Sequence, residues 1–338
     1  MNKVKPILLI ILIFILLNII IVFLWPLKTK LKFNNYEPYS NEFINSLNLN
    51  QEEALELYLE TWQREPLLVY DEFTGVRESE AIEGKYVNIS KKNGRLIPNN
   101  LKKCNRSIFF YGGEIIFGYD VTDAQTIPYY FSKISKNSNL RYCVFNFGRK
   151  TYNSTQENIL LQKHIIQNKI NEEDIIIFLN GNNEKGNLKL LNTEFIEKNY
   201  NALHRKYWKL YKEGIKYFIQ LLPITQLMAI LLDKINFTRH IDSNSEVSTT
   251  KFSNITSVYN KNLKVRKAIC QAYNLQCYNF LFFVNEEYKL KYDELKKSQY
   301  VYDLTNFKNK LIKKNRLDSL TPDTNKLIAK KIYQTIVN

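Results

Sequence analysis

The chain has 338 residues, 45% hydrophobic and 14% aromatic, enough to bury a sizeable core in one large domain or one domain with an insertion. Basic residues outnumber acidic ones by 48 − 33 = +15, a charge that would suit nucleic acid or an anionic membrane surface. Lys, Asn, Ile, Tyr and Phe are abundant together, Gly and Pro are scarce, and no Arg-rich stripe, nucleic-acid motif or zinc spacing accompanies the charge; this excludes nucleic acid as the expected partner.

Residues Ile7 to Trp25 read ILLIILIFILLNIIIVFLW, with Asn18 the only polar residue. At about 1.5 Å per residue, a helix of this length crosses a bilayer core of about 30 Å. The absence of an Ala-x-Ala-type site predicts an uncleaved anchor over residues 1–32, with the membrane as a partner through residues 7–25. Lys3 and Lys5 before it and Lys28, Lys30 and Lys32 after it leave the orientation open on charge alone. Residues 33–100 read as a stalk and leader segment, polar at first with one helical stretch, NQEEALELYLETW.

The remainder, 101–338, carries strand-like runs at 108–111 (IFFY), 142–147 (YCVFNF), 175–179 (IIIFL) and 278–284 (YNFLFFV). Helical patterns separate the first three. TIPYYFSKIS follows the first run, and STQENILLQKHIIQ, with Ser154 and Glu157 at capping-box spacing, follows the second. The alternation predicts a parallel, doubly wound α/β sheet. An aromatic-rich helical insertion at about 186–265 is expected to shield the sheet from solvent. The final helix, Asn325 to Val337, sets Leu327, Ile328, Ile332 and Ile336 on one face.

Cys270 and Cys277 could pair in an oxidising compartment, but the expectation is two buried small apolar residues. No cofactor or metal is expected.

Ligands of an open parallel sheet bind beyond the strands' carboxyl ends. Three polar positions fall there: Glu114 after Gly112 and Gly113, Gly148 in NFGRKTYNS, and Asn183 in FLNGNNE. A backbone N–H of the first turn, the Gly148 N–H and the Asn183 amide could converge as an oxyanion hole.

With these blocks the chain resembles the SGNH subgroup of GDSL-type esterases and lipases, in particular membrane-anchored bacterial members. FFYGGEIIFGYDVTDAQTIPYYF, VFNFGRKTYNSTQE and IIIFLNGNNE are similar to the family's first three blocks in order and spacing, and VYDEFTGVRESEAIEGKYVNISKKNGR is similar to its leader. The resemblance implies a flavodoxin-like three-layer fold with a parallel central sheet. It also implies that the nucleophilic Ser position is Glu114, with Gly148 and Asn183 as oxyanion-hole positions. The Asp-x-x-His pair maps onto RLDSLTPDTNKLIA, where Arg316 stands for the Asp and Ser319 for the His. His164, His204 and His240 lie outside that block.

Ser–His acyl transfer needs a hydroxyl and a base that returns its proton, and neither position supplies its part. Three readings of Glu114 stay open. Its carboxylate could plug a retained oxyanion hole in a degenerate pseudo-hydrolase, which is the expectation. It could act as a general acid or base with Glu184 or Asp318. Or the domain could be an active, O-acetyl esterase-like hydrolase through another group. The resemblance implies an acylated glycan or lipid, or an envelope-assembly partner, on the extracytoplasmic side.

Overall fold

The computed structural model describes residue 16 and residues 39–63, 68–71, 74–78, 81–90, 94–101, 103–136, 141–149, 152–181, 183–184, 249–282, 301–304, 311–313 and 318–337. Leu16 aside, these fall in one compact unit formed by Pro38–Leu191 and Ser248–Asn338. The proposed anchor, apart from Leu16, and insertion residues 186–248 lie outside the described residues. Among those described, no helix is long and apolar enough to cross a membrane.

The core is a seven-stranded sheet ordered β3-β4-β6-β5-β7-β8-β9. Its strands are β3 (Ile89–Ser90), β4 (Gly94–Arg95), β5 (Arg106–Gly112), β6 (Tyr142–Asn146), β7 (Ile175–Gly181), β8 (Gln276–Phe282) and β9 (Val301–Asp303). Only the β3–β4 pair is antiparallel. Counted from β5, the five parallel strands β5 to β9 run 2-1-3-4-5, the flavodoxin-like order, whose switch point lies between β5 and β7. Two hairpins stand apart: β1 (Leu68–Asp71) with β2 (Gly75–Glu78), and β10 (Leu311–Lys313) with β11 (Asp318–Leu320).

Alternation along β5 builds both layers. Ile108 and Phe110 enter one core with Ile127 and Phe131, and with Ile328, Ala329 and Ile332. They come from helices α4 (Ile127–Ser135) and α7 (Pro322–Val337). Phe109 and Tyr111 face the other core with Leu160, Leu161 and Cys270, from α5 (Ser154–Ile166) and α6 (Thr249–Ala272). A side-chain period of two thus gives a three-layer sandwich.

Several expectations need correction. The segment read as a stalk forms α1 (Asn41–Leu47) and α2 (Gln51–Tyr58), and Tyr39, Phe43, Leu47 and Leu57 are buried against Phe117 and Val121. Its apolar residues recur at helical spacing between polar ones, so mean polarity concealed a packed face. The insertion ends earlier than read, because α6 is one continuous helix that reaches the sheet by Tyr259. On α7, Leu327 is exposed while Ile328 and Ile332 are buried.

Cys270 and Cys277 form a disulfide, and Cys104 pairs with Cys143 across the start of β5 and β6. The first pair sits where α6 hands the chain to β8, with Cα atoms 6.2 Å apart, within ordinary disulfide reach. Burial was read correctly for Cys270, but not the chemistry.

Candidate functional site

β5 ends in Gly112, Gly113 is the N-cap residue, and Glu114 opens the one-turn helix α3 (Glu114–Phe117). Gly118 ends that turn in the left-handed region, φ +86°. The strand–turn–helix geometry expected of a nucleophile position is therefore present, with half-buried Glu114 at its tip.

A buried clamp holds the turn from behind. Arg95 donates through Nη1 to the Phe117 and Gly118 carbonyls at 2.8 and 2.5 Å, through Nη2 to Val121 O at 2.7 Å, and through Nε to Asp123 Oδ1 at 2.8 Å. Asp123 also receives the Asn88 N–H at 3.0 Å. Burial pushes the Asp123 carboxyl up, opposed by the Arg95 charge and its hydrogen bonds.

The other two site positions crowd the same turn. A methyl group built on Gly148 would run into the Phe117 backbone nitrogen, and one on Gly113 into the Asn183 side-chain amide. Gly113 and Asn183 thus touch at the switch point between β5 and β7. These contacts predict an asymmetry. Gly148→Ala meets backbone and should cost about 1–3 kcal/mol of stability. Gly113→Ala should cost less, because the Asn183 amide can swing aside. Urea unfolding of the two variants checks the order.

The hydrogen bonds give the Gly148 N–H a partner other than the expected Glu114 carboxylate. The Gly148 N–H donates to Asn146 Oδ1 at 3.0 Å, and Asn146 Nδ2 donates to Ile116 O at 2.9 Å. Asn183 Nδ2 donates to Tyr152 O at 3.1 Å. The Gly148 donor is satisfied from the end of β6, so no Glu114 carboxylate is needed to satisfy it. An asparagine two residues before a turn glycine is the signal that could have shown this.

Glu184 is corrected as well. It is fully buried, accepts the Ser154 N–H at 3.1 Å, and its other oxygen lies 2.6 Å from Ser154 Oγ. It therefore points to the start of α5 and is unsuited to an acid–base role in an open crevice. Burial, then the nearby Glu157, raise its carboxyl to about 7. His164 is buried on the sheet-facing side of α5, with Nδ1 2.7 Å from Tyr111 Oη. Burial holds it neutral, far below its ordinary range. Ser319 lies within β11, opposite Ile312 and three residues before α7. Its side chain and that of Asp318, with Arg316, His204 and His240, fall outside the described residues.

Sequence reasoning missed the β1–β2 turn. Tyr152 Oη donates to Thr74 Oγ1 at 2.7 Å and Gln156 Nε2 to Thr74 O at 2.9 Å, which ties the leader hairpin to the residue that receives Asn183.

No family model and no curated protein sequence matches the chain. Solved structures to which it is similar include the lipase Lip_vut3 from a goat rumen metagenome, at 9% identity and TM-score 0.39, covering 68% of this chain and 97% of that one. The psychrotrophic esterase EstA from Pseudoalteromonas sp. is similar at 10% identity and TM-score 0.38, with 69% and 97% covered. A member of the lipolytic protein G-D-S-L family from Veillonella parvula is similar at 12% identity and TM-score 0.31, with 69% and 99% covered. Strand order and register define the flavodoxin-like arrangement of the sheet.

Proposed function

We propose that the chain is a membrane-anchored SGNH/GDSL-hydrolase-like protein that has lost catalysis and uses the crevice at the β5–β7 switch point for binding. The ligand class is an acylated glycan or lipid, or a partner protein of envelope assembly. One observation supports the loss of catalysis: the Gly148 N–H, a donor an oxyanion would need, is bonded to Asn146 Oδ1. Two substitutions agree with it. A carboxylate at 114 has no hydroxyl to activate, and a serine at 319 takes no proton at neutral pH.

Two disulfides support an oxidising, extracytoplasmic setting for the domain. The apolar run 7–25 supports attachment to the membrane. The carboxylate-pair reading loses one candidate partner, because Glu184 is occupied by Ser154.

The test uses the full chain in mild detergent, assayed for hydrolysis of a small acetyl ester and for retention of an O-acetylated oligosaccharide. The parent and Glu114→Ser are expected to show no turnover. Turnover regained in Glu114→Ser/Ser319→His would trace the loss to those two substitutions and show that the Gly148 N–H remains available to an oxyanion. Hydrolysis by the parent that Glu114→Ser abolishes would sink the proposal and make Glu114 a catalytic carboxylate.

A further inference from the structure

Amide groups run head to tail from the leader hairpin to the crevice. The turn between β1 and β2 presents the Thr74 carbonyl, which accepts Gln156 Nε2 at 2.9 Å. Gln156 Oε1 accepts the Asn153 N–H at 3.3 Å. That N–H shares its peptide unit with the Tyr152 carbonyl, which accepts Asn183 Nδ2 at 3.1 Å. The partners fix the ends of both side-chain amides, because the Thr74 and Tyr152 carbonyls only accept and the Asn153 N–H only donates. A second tie runs beside the first, from Tyr152 Oη to Thr74 Oγ1 at 2.7 Å.

Helix capping accounts for only part of what Gln156 does. Asn153 caps α5, and Gln156 closes the box by accepting the N–H of the cap residue. A glutamate would close it equally well, but it lacks the donor that reaches Thr74. At the other end of the series, Asn183 is half-buried just beyond β7, and a methyl group built on Gly113 would run into its amide. The amide therefore lies against the N-cap residue of α3, one residue before Glu114. Hydrogen bonds in series polarise one another, so whatever holds the 152–153 peptide also sets the carbonyl that Asn183 meets.

We propose that Gln156 is a positioning residue: together with Tyr152 it makes the β1–β2 hairpin part of the crevice, by fixing how the Asn183 amide is turned. The consequence for a ligand rests on the binding reading given above. The orientation of Asn183 does not.

The test uses the full chain in mild detergent, with nitrogen-15 in its asparagine side chains, and the Asn183 amide pair is assigned by its loss in Asn183→Asp. Gln156→Glu keeps the capping box and loses the donor to Thr74. Tyr152→Phe loses the second tie with no change of charge. Each is expected to speed hydrogen exchange in peptides spanning residues 68–78 and to move the Asn183 pair in the same sense. Each should also weaken retention of an O-acetylated oligosaccharide by about threefold to tenfold, the range of one lost hydrogen bond. An Asn183 pair that stays in place in Tyr152→Phe while hairpin exchange rises overturns the proposal. So does a pair that moves in Gln156→Glu alone, which is the effect of the new charge. Should Tyr152→Phe fail to fold, Thr74→Val removes the other hydroxyl of that bond and takes its place. A parent that retains no oligosaccharide defeats the binding reading, and the amide pair then decides the positioning by itself.

Discussion

Arg266→Met should be among the most damaging single substitutions in the domain, lowering stability by about 3–5 kcal/mol. The guanidinium is fully buried, holds Glu157 at 2.6 Å, and lies 3.7 Å from the centre of the Phe178 ring. Methionine can fill much of the volume, so the loss is electrostatic: Glu157 stays buried with its ion-pair partner gone, Glu184 loses a nearby positive charge, and three amide oxygens lose a donor. Burial pushes both acids up, and Arg266 opposes this in each. Its removal should raise them further. The folded variant then holds protons that the unfolded chain releases, and the damage grows as pH rises from about 5.5 to about 8. Urea unfolding at both values measures it. Adding Glu157→Gln should recover part of the loss at the higher pH. A variant within about 1 kcal/mol of the parent would mean that the cluster is solvated.

The sheet was legible because its strands are continuous apolar runs. IFFY, IIIFL and YNFLF sit in parallel strands covered on both faces, the setting in which such runs replace alternation. The start of α5 was legible to within one residue. The sequence NSTQE holds two pairs at capping-box spacing, Asn153 with Gln156 and Ser154 with Glu157. Asn153 is the cap, bonded to Thr155 and Gln156 N–H groups, while Ser154 and Glu157 turn inward to Glu184 and Arg266. Local spacing cannot separate the two pairs; tertiary burial does. The Cys104–Cys143 pair was hidden for a similar reason. Its members are 39 residues apart and meet only once β5 lies beside β6.

Site positions were legible, their hydrogen bonds were not. The three blocks place Glu114, Gly148 and Asn183 beyond neighbouring strand ends, and the strand order brings Gly113 against Asn183. Where each donor points depends on Asn146 and Tyr152, which the motif reading passed over. Arg266 did leave a signal. Tyr259, Leu263, Arg266 and Cys270 follow at spacings of four, three and four, one stripe of α6, and all four are buried. A cation within such a stripe calls for a buried acid partner. Arg95 left less, because NGRLIPN has no periodicity to betray burial.

Arg95→Met is the second large expected loss, about 3–5 kcal/mol, and it reaches the site. Four donor contacts disappear together: three hold the carbonyls of Phe117, Gly118 and Val121, and one holds Asp123. Asp123 keeps the Asn88 N–H and amide but loses its cation while still 6% exposed. The loop after α3 then has no common anchor. The α3 turn closes through the Phe117 N–H to Gly113 O at 3.0 Å and the Gly118 N–H to Glu114 O at 2.9 Å. Faster hydrogen exchange is expected at those two amides in particular. Arg95→Lys should fall between parent and Met variant, since an ammonium can meet Asp123 but cannot span three carbonyls. A clamp on the Glu114 turn thus predicts an order of stabilities and a place where protection is lost. If Arg95→Met lowers stability while exchange at Phe117 and Gly118 stays as in the parent, Arg95 supports the core but does not position Glu114.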